Sequence, residues 1–353
     1  MSFNQHMAEF GGLPVVDFLS QDTTEEDDLP KLNGPIGFDH HTKATAAAKT
    51  DPGAYAWRLR VVSFEPEEEF APYFTRFLAE VDTAPITALV LGITASSETE
   101  PCYLEARDLL IEHRDRFPNL RSLFLGDVVF EECEVSWLSQ TDLGPLLTAF
   151  PGLVELGSRG TGEGYRNPKL PVPSDTALHL RLPEHRSLQR LIVQGGGLPA
   201  LVCRELDAAR LPSLEHLELW LGVDEYGGDS SPSDLARTLS AEAFPSLRSL
   251  GLRNAEHADN WVAALAEAPV TPTLEALDLS LGVLTDTGAR AILDTPAFHR
   301  LKRLDLHHHY LSEEMEQRLG AALTASGVEH DLSDRQEPEE FRGEKYYYPS
   351  VGE

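Results

Sequence analysis

The sequence predicts an α/β solenoid, with one short parallel strand per repeat on a concave face and helices on the convex face. Three observations predict it. A phrase of one apolar residue, two variable residues, Leu, one variable residue and a second apolar residue recurs eight times. It begins at Ile86, Leu120, Leu153, Leu188, Leu214, Leu247, Leu274 and Leu301, with the copy at Leu153 degraded. The starts are 34, 33, 35, 26, 33, 27 and 27 residues apart, and Pro stands two before five of them, at Pro118, Pro151, Pro212, Pro245 and Pro272. Most copies lead into a stretch of helical periodicity. A strand with a returning helix cannot bury its own apolar face, whereas stacked copies can.

Each element follows from this frame. Positions 4 and 6 of the phrase point inward, because side chains alternate along a strand. The clearest helices are Glu105–Phe117, Asp234–Phe244, Asn260–Ala268, Thr287–Leu293 and Glu313–Ala325. Repeats therefore fill residues 84–332, and Val328–Leu332 reads as a last, shortened strand. Ahead of them, residues 55–83 read as an N-terminal cap. Trp57–Phe64 makes its strand, and Glu67–Val81 makes an amphipathic helix presenting Phe70, Phe74, Phe77 and Leu78. Residues 1–54 form an N-terminal segment with an acidic linker. Gln21–Asp28 is acidic, Thr42–Lys49 has no apolar face, and Gly34, Pro35, Pro52 and Gly53 punctuate the stretch. Residues 333–353 form a charged tail that ends in aromatics, Tyr346 to Tyr348.

Composition narrows the function. Lys and Arg total 29 against 58 Asp and Glu, a net charge of −29, which excludes gripping phosphate backbones or anionic membranes. No apolar run reaches the ~18 residues of a membrane span. The first 12 residues show no secretory pattern. Three widely spaced cysteines, Cys102, Cys133 and Cys203, suit reduced thiols, so a cytoplasmic protein is expected.

The sequence motifs offer little chemistry. Gly157, Gly160, Gly162 and Gly164 follow a strand phrase, but the Pro-rich stretch after them cannot start the helix a dinucleotide site needs. Neither a P-loop nor a GxSxG elbow is present. Asp224 to Asp229 lacks EF-hand spacing and reads as a turn. His307, His308 and His309 could offer metal ligands, but neighbours on a strand face opposite ways, so at most His307 and His309 share a side. No cofactor is expected.

The outward positions carry more. Position 5 runs Val90, Phe124, Gly157, Ile192, Glu218, Gly251, Asp278, Asp305, and position 7 runs Gly92, Gly126, Arg159, Gln194, Trp220, Arg253, Ser280, His307. The first half is small or apolar, so something covers it, and the N-terminal segment with Val15, Val16, Phe18 and Leu19 is the expected cover. The second half is charged and aromatic. Trp and Arg are enriched at binding hot spots. Glu218, Trp220, Arg253, Asp278, Arg303, Asp305 and His307 are therefore the expected partner-binding residues.

The repeat phrase resembles the leucine-rich-repeat superfamily over residues 84–332. The ~27-residue spacings and the helix opening at Leu284–Arg290 resemble its ribonuclease-inhibitor-like branch. Many such repeats carry Asn or Cys at position 9, where this chain has Thr94, Val128, Thr161, Gly196, Gly222, Ala255, Gly282 and His309. The whole chain also resembles an actinobacterial leucine-rich-repeat family, through Gly11–Phe18, Leu217–Asp229, Leu250–Glu256 and Leu304–Met315. That resemblance implies genes beside radical-SAM and ATP-grasp-like enzymes, a neighbourhood rather than a reaction. The expectation is a non-catalytic scaffold holding a partner protein or peptide on the C-terminal half of the concave sheet. The alternative is a metal-binding or hydrolytic protein built on the His307–His309 region with Asp278 and Asp305, where paired carboxylates beside an imidazole could do acid–base work.

Overall fold

The computed structural model describes residues 5–23, 38–62, 66–94, 103–160 and 177–352. The chain forms two units, Met1–Pro183 and Glu184–Glu353.

In the first unit, the strands are β1 (Glu9–Phe10), β2 (Leu13–Phe18), β3 (Ala56–Leu59), β4 (Ala88–Leu91), β5 (Ser122–Leu125) and β6 (Glu155–Arg159). Strands β2 to β6 lie parallel in chain order, and β1 turns back antiparallel on β2. The helices are α1 (Phe38–Ala48), α2 (Phe70–Glu80), α3 (Leu104–Glu112) and α4 (Gly144–Ala149). The inward rule holds: Leu89, Leu123 and Leu156 stand in register on adjacent strands and are fully buried. Each such leucine contributes roughly 1.5–3 kcal/mol of burial. The degraded copy at Leu153 keeps this register, with Gly157 beside Phe124. Gly157 has to be glycine, because a Cβ there would stand 2.3 Å from the Phe124 ring.

Two differences from expectation concern the N-terminal region. The phrase starts earlier than residue 84. Leu13, Val16 and Phe18 on β2, then Trp57 and Leu59 on β3 with Ala54 in the 3-10 turn just before it, fall at positions 1, 4 and 6 when counted from the strand register. Part of the expected linker is helical. Thr42–Lys49 lies mostly in α1, which buries His41, Thr45 and Ala48. That face is made of small and polar residues, so hydrophobic patterning does not reveal it, whereas its Ala content favours a helix. Thr45 Oγ1 donates to the Asp17 carbonyl at 2.6 Å. Gln21–Asp22 belongs to a turn, and most of the acidic run lies outside the described residues.

In the second unit, the strands β7 (Arg190–Gln194), β8 (His216–Gly222), β9 (Ser249–Ala255), β10 (Ala276–Asp278), β11 (Arg303–Asp305) and β12 (Glu329–Asp331) are parallel and in chain order. Between them run α5 (Ala200–Asp207), α6 (Ala236–Leu239), α7 (Ala258–Glu267), α8 (Asp286–Asp294) and α9 (Glu313–Ser326). Helix α8 starts where Thr285 caps the Thr287 N–H, and α9 starts where Ser312 caps Met315. Gly327, at φ 75°, ends α9 in the left-handed conformation.

Strand ends turn at position 8 of the phrase rather than through a position 9 ladder. Asn254, Leu281, His308 and Asp334 all adopt positive φ, between 54° and 67°. The tail is also ordered. It forms a hairpin, β13 (Glu339–Phe341) with β14 (Glu344–Tyr346), and then returns to these strand ends. Asn254 Nδ2 donates to the Val351 carbonyl at 2.6 Å, and Val351 N donates back to Asn254 Oδ1 at 2.9 Å. Ser350 N donates to the Leu281 carbonyl at 2.8 Å.

Candidate functional site

Strand register brings the predicted residues of the second unit together. Position 5 of successive strands places Glu218, Gly251, Asp278, Asp305 and Asp331 side by side on β8 to β12. Two different environments result.

The part nearest β8 is internal. Trp220, expected as an exposed anchor, is fully buried, and Glu218 and Arg253 are less than one tenth exposed. Trp220 Nε1 donates to Glu218 Oε1 at 2.8 Å, and Gln194 Nε2 donates to the same oxygen at 3.2 Å. Arg253 Nη1 donates to that oxygen at 3.3 Å, and the guanidinium lies 5.4 Å from the Trp220 ring centroid. The position 7 side chains Trp220 and Arg253 pack against one another across adjacent strands instead of facing solvent. The hot-spot expectation for Trp220 is therefore corrected: the indole supports the face and is not presented on it. Burial opposes ionisation of Glu218, but Arg253 and the Trp220 and Gln194 donors outweigh it and lower its pKa. His216 goes the other way, to about 4, through burial and the nearby Arg190. It is a neutral imidazole bonded to Ser249 Oγ at 2.9 Å.

The part on β10 to β12 is more open. A three-residue pattern recurs there: Asp278-Leu-Ser280, Asp305-Leu-His307 and Asp331-Leu-Ser333. Each carboxylate accepts from the backbone N–H two residues on, at 3.0, 3.2 and 2.8 Å respectively. Arg253 Nε lies 3.2 Å from Asp278 Oδ2, and Arg303 Nη2 lies 3.1 Å from Asp305 Oδ2. His307 Nδ1 is 2.7 Å from Asp305 Oδ1. This bond raises the His307 pKa, while the same pairing, against the opposing effect of burial, lowers that of Asp305. Burial raises Asp278. Arg303 is exposed and Asp278 and His307 are half-buried, so these three form the accessible part of the predicted set, whereas Asp305 is buried between them.

The histidine triplet separates three ways. His309 is fully buried, with Nε2 on the Leu332 carbonyl at 3.0 Å and Nδ1 accepting from Leu311 N at 3.2 Å. Both ring nitrogens are used, so His309 does not join His307 on the side that the alternation of a strand would allow them to share. His308 turns to Asp334 at 3.4 Å. The ligand atoms that do converge, all within 4.8 Å of one another, belong to Asp305, His307 and Asp331. Asp224, Glu256 and His257 make a second such group. Asp224–Tyr226 is a 3-10 turn, as the sequence suggests.

No protein-family model matches the chain. No curated protein matches it either. Among solved structures, the chain is similar to a Bacteroides fragilis protein known from its crystal structure. The two are 26% identical with a TM-score of 0.68, over 92% of this chain and 90% of that one. The likeness therefore extends over nearly the whole fold.

The first unit holds a charge cluster that the sequence reading misses. Arg58 is fully buried and grips Asp17 with Nε at 2.6 Å and Nη2 at 3.2 Å, while Nη1 reaches Asp127 at 2.8 Å and the Met7 carbonyl at 3.1 Å. His41 Nδ1 stands 3.3 Å from Asp17, and Arg60 pairs with Glu132. Burial alone would push both aspartates up; Arg58, with the neighbouring histidines, holds them well below the ordinary carboxylate range. The missed signal was register: Asp17 and Arg58 occupy position 5 on adjacent strands.

The other singled-out motifs stay chemically quiet. Cys203 is buried, and burial pushes its thiol up to about 12, while Cys133 rises to about 11. Neither is a thiolate nucleophile near neutral pH. Cys102 and the glycines at 162 and 164 lie outside the described residues. Among the described residues, no helix is long and apolar enough to cross a membrane.

Proposed function

We propose that this chain is a non-catalytic interaction scaffold of the leucine-rich-repeat kind, which holds a protein or peptide partner on the β10–β12 part of its strand face. The observation that carries the reading is the aspartate row, Asp278, Asp305 and Asp331. Its carboxylates accept from backbone N–H groups on that face, with Asp278 and Asp331 partly exposed and Asp305 buried between them. Glu218, Trp220 and Arg253 act as its support, and Arg303 and His307 supply flexible counter-charge at its rim. Such a row suits a Lys- or Arg-bearing segment, which would displace the exposed Arg303 side chain from Asp305. One strand per repeat in chain order, with the leucines in register, supports the solenoid reading. A cytoplasmic setting among biosynthetic enzymes, as the family resemblance implies, belongs to the same proposal.

The test is affinity purification from the native host with wild type beside the Asp305→Asn, Asp331→Asn double variant, followed by anisotropy titration of basic peptides from the captured protein. Asparagine keeps the acceptor for the backbone N–H and removes the charge. A partner that loses at least tenfold in affinity with the variant supports the reading. Equal binding by both proteins refutes the site.

The convergence of Asp305, His307 and Asp331 favours a second reading, metal binding at three protein ligands with open positions. Metal analysis of protein purified without a tag, and of its His307→Ala variant, discriminates the two. A stoichiometric metal in the wild type that is lost in the variant would favour this second reading.

A further inference from the structure

The N-terminal segment covers the apolar strip of the first unit, although not with the residues expected from sequence. Val15, Val16 and Phe18 are used inside β2. The cover is residues 6–11. Phe10 meets Phe124 edge to face with ring centroids 6.0 Å apart, and Gly11 packs on Ser122 and Ala88. His6, Met7 and Phe10 are buried, as are Val90 and Phe124 beneath them. Met7 N donates to both carboxylate oxygens of Asp127, at 3.2 and 3.3 Å.

His6 is the fastening point, and its surroundings dictate its charge. Nδ1 lies 3.1 Å from the Asp127 carbonyl and 3.5 Å from Asp127 Oδ2. Nε2 lies 3.3 Å from Glu132 Oε1. Every one of these neighbours is an acceptor. A neutral imidazole offers one N–H and one lone pair, so it would aim a lone pair at an anion, whereas the imidazolium offers two donors. The charged groups around the cluster are Asp17, Asp127 and Glu132 on one side and Arg58, Arg60 and Arg159 on the other, with His41 facing Asp17.

We propose that protonated His6 locks residues 6–11 over the strip at Val90 and Phe124, and that loss of its proton as pH rises unfastens them. Burial opposes the charge on His6, but Asp127 and Glu132 outweigh it and raise its pKa in the folded state. The lock is therefore fully engaged below the ordinary imidazole value of about 6.5 and is lost as pH rises through the higher folded value. Within that window, opening increases up to about tenfold per pH unit, the slope for one linked proton.

The experiment is hydrogen exchange of the Met7 to Gly11 amides in the full chain, from about pH 6 to pH 10, corrected for the intrinsic pH dependence of exchange. The His6→Gln variant runs beside it. The expected result is wild-type protection that falls with pH, and a variant open at every pH. Protection independent of pH in wild type, or the same pH profile in both proteins, would overturn the proposal. If the variant does not fold, the His6 ring titration by NMR in wild type decides. A midpoint above about 6.5 that coincides with the loss of Met7 protection supports the lock, and an ordinary midpoint refutes it.

Discussion

At the scale of single residues, the buried charges of the first unit and the buried indole of the second set the strongest expectations. Removing Arg58 would leave Asp17 and Asp127 as uncompensated buried carboxylates. Arg58→Ala should cost about 3–5 kcal/mol, read as a lowered denaturant midpoint. The same pair sets an acid limit. Both carboxyls titrate below their unfolded value, so their stabilisation is present above about pH 3.9 and is lost as pH falls towards the folded values. Urea midpoints should drop between pH 5 and pH 3 in wild type, and by less in an Asp17→Asn variant. Trp220 separates a support role from a contact role. Trp220→Ala should cost about 3–5 kcal/mol of stability. Trp220→Phe, which keeps most of the apolar contact but takes one donor from Glu218, should cost about 1.5–3 kcal/mol. Unchanged melting of Trp220→Ala would contradict the burial of the indole.

At the scale of elements, the C-terminal tail is the clearest case. Near its end, Ser350 and Val351 return to the ends of β9 and β10, and the Asn254 side chain clamps both backbone groups of Val351. Asn254 sits at φ 54°, where Asn is tolerated and Gly is at ease. Asn254→Gly therefore keeps the turn and deletes only the clamp. The expected outcome is faster proteolytic trimming of the tail, with little change in the melting of the remaining chain. Trimming at the wild-type rate would show that the clamp does not hold the tail. Helix α1 teaches a related point. Its buried face is His41, Thr45 and Ala48, and it docks through polar bonds to Asp17 and by small size, so it carries no apolar stripe.

At the scale of the whole molecule, the repeated strands make interactions local. Among the described residues, the strands within each unit pair with their neighbours in sequence, so damage at one place should stay near it. Exchange measured on Arg58→Ala should show lost protection on β2 and β3 while Leu250 and Leu277 amides in the second unit stay protected. Equal loss in both units would argue for one cooperative structure. The net charge of −29 adds a global term. Self-repulsion is screened by salt, so the melting temperature should rise between about 10 mM and 150 mM salt.

The sequence by itself determined the strand period, the inward leucines and the parallel order of strands. These depend on patterns local to each repeat and on alternation along a strand. Even the degraded copy at Leu153 could be placed, because Leu156 falls at the inward position. The charged set from Glu218 to His307 was legible as a row, since register carries position 5 from strand to strand. Only the tertiary structure decided which members of that row face solvent. It buried Trp220 between neighbours, turned His309 into the core and brought Asp331 beside Asp305. It also decided that Asp17, Arg58, Asp127 and His6 meet, across separations of up to 121 residues. Burial and pairing of that kind depend on which surfaces cover one another, and no window of sequence contains both partners.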